Sequence, residues 1–218
     1  FSAVELTEVY VRRIEAMNGQ LNAFRLPTPE RALDAAAAAD KLRARGQRAG
    51  PLHGVPYAVK DLYDVQGLPT SAGARVLENA IAQADCRTVQ QLSAAGMVLL
   101  GKTNTVQFAY GGVGVNHDHG MPHNPWHSER HAPGGSSSGS AVAVAAGLAP
   151  MALGTDTGGS VRIPASLCGI SGLKTTVGRV SRAGVFPLSW SLDSVGPLAR
   201  SVEDTALIYE AISGYDAD

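Results

Sequence analysis

Between Pro133 and Pro164 the chain reads PGGSSSGSAVAVAAGLAPMALGTDTGGSVRIP, with Gly and Ser gathered into two knots, 134 to 140 and 157 to 160, around an apolar segment. Glycine loses more conformational freedom on ordering than any other residue. Two such knots beside apolar sequence therefore predict close backbone approach, left-handed turns, or N–H groups turned toward bound oxygen atoms. The plain structural alternative is a pair of tight turns around a core element. The serines in the knots are nucleophiles only if a base takes the hydroxyl proton, and neither knot contains a histidine. Lysine can be that base once burial lowers its pKa. Only Lys41, Lys60, Lys102 and Lys174 occur, against fourteen Arg. Lys60 stands at the end of one predicted strand and Lys102 follows another, and the residues alone leave both open.

Two further patterns imitate sites. Gly96 to Thr103 has the Gly-x4-Gly-Lys-Thr spacing of a phosphate loop. A phosphate cradle needs flexible backbone between its glycines, whereas Met97-Val98-Leu99-Leu100 reads as strand. His119, His123, His127 and His131 are spaced four apart, which on a helix would line one face for a metal. Gly120, Pro122, Pro125 and Pro133 interrupt any such helix, so His117 to His131 is predicted to be a surface or rim loop with no metal role.

The elements that must carry these residues follow from periodicity and punctuation. Ser2 with Glu5 makes a capping box for an amphipathic helix to about Asn18-Gly19, and Pro29 to about Arg45 is a second helix. Residues 1–48 thus read as an N-terminal helical cover. Leu52 to Val59 is a β-compatible run that delivers Lys60 and Asp61. A helix from about Asp85 to Ala95 precedes the MVLLG strand. Ser166 to Leu173 and Thr176 to Val180 read as short strands, Phe186 to Ala199 as a Pro- and Trp-containing loop, and Ser201 to Ile212 as a capped helix. Alternating strands and helices predict an α/β fold with a sheet covered on at least one face. Without a repeat or linker, 1–218 reads as one domain.

Composition narrows the partners. Eighteen basic residues against nineteen acidic ones give a net charge of -1, with 44% hydrophobic residues, which offers no basic nucleic-acid surface. No run approaches membrane-spanning length and the N-terminus lacks a signal-like segment. Cys86 and Cys168 lack metal-ligand spacing, and a reducing, cytoplasmic setting is expected. A first residue of Phe instead of Met points to a chain that begins inside a longer product or after processing.

The blocks GVPYAVKDLYDVQGLPTSAG (54 to 73), GKTNTVQFAYGG (101 to 112), NPW (124 to 126), PGGSSSGSA (133 to 141), GTDTGGSVRIPASLCGISGLKTTVGRVSRAG (154 to 184) and DSVGPLARSVED (193 to 204) together resemble the amidase signature family of Ser-Ser-Lys amide hydrolases. That family includes the amidase subunit of glutamine-dependent tRNA amidotransferases. The resemblance implies a mixed sheet covered by helices on both faces, of which this chain is an N-terminal portion. It makes Ser160 the nucleophile, Lys60 the base and Ser136 the bridging serine, entered through a cis Gly135–Ser136 peptide. Backbone N–H groups of Thr157, Gly158, Gly159 and Ser160 become the oxyanion hole. Ser137, Asp156 and Arg162 become supporting residues, and Lys102 and Lys174 fall outside the triad. Thr175 stands where the family commonly has Pro. No metal or organic cofactor is implied. The leading expectation is hydrolysis of a small-molecule amide, with a homodimer as one assembly to test. The alternatives are one component of an amidotransferase complex and a noncatalytic binding domain.

Overall fold

The computed structural model describes residues 1–47 and 50–216. The capping box closes as expected: Glu5 N–H donates to Ser2 Oγ (2.9 Å) and Ser2 N–H to the Glu5 carboxylate (2.8 Å). It starts α1 (Ala3–Leu21), which ends on Asn22 in the left-handed region, φ 51°. β1 (Phe24–Pro27) and α2 (Pro29–Ala44) follow, with Pro29 in the first helical turn where a missing N–H is harmless. β1 pairs antiparallel with β3 (Val98–Thr103), so the N-terminal segment is more than a helical cover; it contributes a sheet strand. The expected boundary at residue 48 lies outside the described residues.

β2 (Pro56–Lys60) runs parallel to β3 on one side and to β4 (Met151–Asp156) on the other. β6 (Ser194–Ala199) joins β4 antiparallel, and β5 (Ser171–Gly172) closes the order β1-β3-β2-β4-β6-β5. The sheet is mixed, with helices on both faces. Alternation along the strands sorts the side chains. Ala58, Val98, Leu100, Ala152 and Leu198 pack with residues of α1, α2 and α4 (Ser138–Ala145). Tyr57, Val59, Leu99, Leu153 and Val195 pack with α3 (Arg87–Ala94) and α6 (Val202–Ile212) on the opposite face. α4 lies tight against the sheet: a Cβ on Gly139 would fall 2.3 Å from the Ala23 carbonyl oxygen.

Three expectations are corrected. β6 lies inside the segment read as a loop. Its Pro197 has no N–H to lose from a ladder but offers a carbonyl that accepts from Leu173 N–H at 3.0 Å. Ser166 and Leu167 belong to α5 (Arg162–Leu167), leaving only Ser171–Gly172 as strand. Thr176 to Val180 forms no strand, since Val180 makes a single bridge to Ser213. Among the described residues no helix is long and apolar enough to cross a membrane.

Candidate functional site

The strand end chosen by sequence places Lys60 as the last residue of β2, fully buried. Its Nζ lies 2.7 Å from Ser136 Oγ and 2.8 Å from Thr155 Oγ1. Burial pushes the ammonium down from 10.5 to about 7, while the Asp193 and Asp156 carboxylates pull in the other direction. A lysine so placed exists as neutral amine and as ammonium in comparable amounts near neutral pH, which suits proton exchange with a hydroxyl. Ser136 follows the cis Gly135–Ser136 peptide. A side chain at Gly135 would meet the Gly111 carbonyl oxygen at 2.8 Å, so the turn entering Ser136 is tightly packed.

The second Gly/Ser knot joins β4 to α5. Asp156, the last residue of β4, gathers the knot around its carboxylate. It accepts from the N–H of Gly159 (2.8 Å) and Val161 (3.1 Å) and from Arg162 Nε and Nη2 (both 3.0 Å). Burial works against this carboxylate, but the Arg162 guanidinium and the N–H donors of Val161 and Arg162 outweigh it and hold its pKa below the usual range. Asp156 and Arg162 therefore act on each other, and Arg162 ties the loop down. The same geometry aims Gly159 N–H at Asp156. Gly158 faces open space, with nothing within 4 Å of where its Cβ would stand.

Ser160 is 8% exposed, and its carbonyl accepts from Ser137 N–H at 3.2 Å, which docks the two knots together. Ser137 bonds backbone: its Oγ donates to the Thr155 carbonyl and accepts from the Thr155 N–H, both at 3.2 Å. Lys60, Ser136, Ser137, Asp156, Ser160 and Arg162 thus share one region although they come from separate stretches of chain.

Residues missed by sequence reasoning complete it. Thr155 contacts the lysine, and Asp193 accepts from Thr157 Oγ1 (2.5 Å) and from the N–H of Leu188 (2.8 Å) and Ser189 (2.9 Å). Neither position carried a local signal linking it to Lys60. A cavity of about 360 Å³ opens beside both, walled by Thr155, Arg182, Val185, Trp190, Asp193 and Val195.

The imitating patterns fall elsewhere. Lys102 Nζ forms an ion pair with Asp61 (2.7 Å) and donates to the Pro69 carbonyl (2.6 Å) and Thr70 Oγ1 (3.0 Å), so of the two candidate lysines only Lys60 reaches Ser136. Gly96 to Thr103 is mostly β3, with no cradle. The histidine loop brings the rings of His127 and His131 to 4.0 Å between centroids. Among the described residues no group of three or more His, Cys, Asp or Glu is arranged to hold a metal.

The family model described as Amidase matches residues 5–218, nearly the whole chain. The chain belongs to the amidase family. It is 53% identical over 215 residues to the A subunit of the glutamyl-tRNA(Gln) amidotransferase of Thioalkalivibrio sulfidiphilus (strain HL-EbGR7), covering 99% of this chain and 44% of that protein. The corresponding protein of Alkalilimnicola ehrlichii (strain ATCC BAA-1101 / DSM 17681 / MLHE-1) is 52% identical, with the same coverage of each chain. The chain spans under half the length of these relatives. Among solved structures, the native peptide amidase of Stenotrophomonas maltophilia superposes with a TM-score of 0.93 at 42% identity, over 100% of this chain and 46% of that one. A protein from an unexpected vestigial complex that reveals the evolutionary origins of an s-triazine catabolic enzyme gives 0.96 at 49% identity, over 99% and 47%.

Proposed function

We propose that the protein carrying this amidase-family chain cleaves a carboxamide through a serine acyl-enzyme, with Ser160 as nucleophile, Ser136 as proton relay and Lys60 as base. The observation that carries this is a fully buried lysine, brought to about 7, within 2.7 Å of Ser136, whose neighbour Ser137 donates its N–H to the Ser160 carbonyl. Ser160 attacks the carbonyl carbon as its proton passes to Ser136 and the proton of Ser136 passes to Lys60. The oxyanion is met by the N–H groups of Thr157, Gly158 and Ser160, while Gly159 keeps Asp156 in place. When the C–N bond breaks, the proton returns from Lys60 through Ser136 to the departing nitrogen. Water then releases the acid by the same route in reverse.

Of the two enzymatic roles foreseen from sequence, identity favours the alternative. The two amidotransferase relatives match at 53% and 52%, the peptide amidase at 42%. We therefore read the leaving group as ammonia, delivered to a partner protein that contributes the nucleic-acid surface a near-neutral chain lacks. A cytoplasmic setting accords with two buried free thiols, Cys86 and Cys168. The test is ammonia release by the full-length protein from glutamine and from simple carboxamides, with and without candidate partner proteins and charged tRNA. Release that requires the partner supports the amidotransferase role. Equal release from simple amides by the isolated protein returns the reading to a free amidase. Absence of any Ser160 adduct with an electrophilic acyl or phosphonyl probe leaves the noncatalytic scaffold.

A further inference from the structure

Thr155 has no role in the proton relay above, yet it is the second partner of the lysine that drives it. Its Oγ1 accepts from Lys60 Nζ at 2.8 Å, close to the 2.7 Å of the Ser136 contact, and both side chains are buried. The backbone that carries this hydroxyl is held by three hydrogen bonds. Thr155 N–H and C=O both bond Ser137 Oγ at 3.2 Å, and the preceding Gly154 carbonyl accepts from Tyr63 O–H at 2.5 Å. Gly154 leaves no slack: a Cβ there would lie 2.6 Å from Ser137 Oγ. The adjacent serines thus divide the work. Ser136 presents its hydroxyl to Lys60, and Ser137 clamps Thr155 beside the same nitrogen while its own N–H holds the Ser160 carbonyl at 3.2 Å.

We propose that Thr155 is a positioning residue for the base: its oxygen keeps one N–H of Lys60 through the whole proton transfer, so that the lone pair of the neutral amine is left for Ser136. The inference rests on the proposed roles of Lys60, Ser136 and Ser160. A neutral primary amine has two N–H bonds and one lone pair, and rotation about Cε–Nζ can point any of the three at Ser136. An acceptor at Thr155 disfavours the orientation in which the lone pair faces that oxygen instead of the relay. As Ser160 bonds to the carbonyl carbon, its proton moves to Ser136, the Ser136 proton moves to the lone pair, and Nζ becomes an ammonium with three N–H bonds. One of those already ends on Thr155, a charge-assisted bond stronger than the one made by the amine. Thr155 gains and loses no proton. The other charged groups acting on Lys60 are Asp193 and Asp156.

The test is the rate at which a fluorophosphonate labels Ser160 in the full-length protein, followed from pH 5 to 9 for wild type, Thr155→Val, Thr155→Ser and Ser160→Ala. Thr155→Val keeps the shape and removes the acceptor. Its plateau rate falls about tenfold, the effect of one lost hydrogen bond to a charged group. Its acid limb moves to lower pH, because the ammonium loses more than the amine does. Thr155→Ser restores both. A Thr155→Val protein with wild-type plateau and limb, while Ser160→Ala is unlabelled, overturns the inference alone. A lowered plateau with an unmoved limb that serine does not restore overturns it too, by reducing Thr155 to packing. Wild-type labelling of Ser160→Ala overturns the assignment of the nucleophile and the inference with it.

Discussion

Replacing Lys60 by Met separates what the lysine does for chemistry from what it costs the fold. Met keeps the length and apolar stem of the side chain and removes the titrating group. The lysine titrates at 10.5 when unfolded and about 7 when folded. Between these values the unfolded chain binds more protons than the folded one, so the contribution of Lys60 to stability becomes less unfavourable as pH rises. Its penalty is complete below pH 7 and gone above 10.5. The two pKa values put that penalty at about 4 kcal/mol at pH 7 and about 2 kcal/mol at pH 9. Lys60→Met therefore shows a stability difference from wild type that moves by about 2 kcal/mol across this interval, in favour of wild type as pH rises. Loss of the contacts to Ser136 and Thr155 offsets the variant's curve by a pH-independent amount, and Lys102, present in both proteins, cancels. Denaturant unfolding of the two full-length proteins side by side at pH 7, 8 and 9 measures it. Parallel curves would refute the claim that burial depresses this lysine. The same variant should lose acylation by roughly a hundredfold or more, the usual range for a removed general base.

Other substitutions test neighbouring parts of the site and its support. Lys102→Met leaves Asp61 buried without its cation and should cost about 3–5 kcal/mol, whereas Lys102→Met combined with Asp61→Asn should recover most of that loss in the same unfolding assay. Asp156→Asn should slow labelling of Ser160 by loosening Arg162 and the Gly159 and Val161 N–H groups. Since the Asp156 pKa is lowered in the folded protein, the stability it contributes is present above the ordinary value of 3.8 and lost as pH falls through the depressed one. The wild-type advantage over Asp156→Asn should accordingly close in acid, as followed by melting temperature against pH. Gly139→Ala drives a methyl to 2.3 Å from the Ala23 oxygen and 2.5 Å from the Asn104 nitrogen, both backbone atoms. It should lower stability by about 1–3 kcal/mol or more, seen as a reduced melting temperature with β1 and α4 the first elements to lose amide protection.

Much of the frame was legible because its signals are local. Capping residues set the starts of α1 and α6, apolar runs preceded by Gly marked β2 and β3, and the prolines of the histidine loop ruled out a helix there. β6 escaped because a central Pro and Gly suppress strand propensity, while the pairing with β4 that overrides them is remote in sequence. β1 escaped because a strand of four residues between two strong helices carries no periodicity of its own. Ser166 and Leu167 were misplaced because a run of only eight residues does not distinguish a short helix from a strand.

The candidate site divides in the same way. Residue types alone named the groups that could do chemistry: serines in two glycine-rich knots, a handful of lysines, and no histidine in either knot. The blocks shared with a family then singled out three of them. Choosing between Lys60 and Lys102 on physical grounds needed the folded chain, because the choice depends on which buried amine meets Ser136 and which is already committed to a carboxylate. Folding also aimed Gly159 N–H at Asp156 and brought Thr155 beside Lys60 and Asp193 beside Thr157. The direction of an N–H, the depth of a lysine and the meeting of residues far apart in the chain are properties of packing, and no local spacing of residue types encodes them.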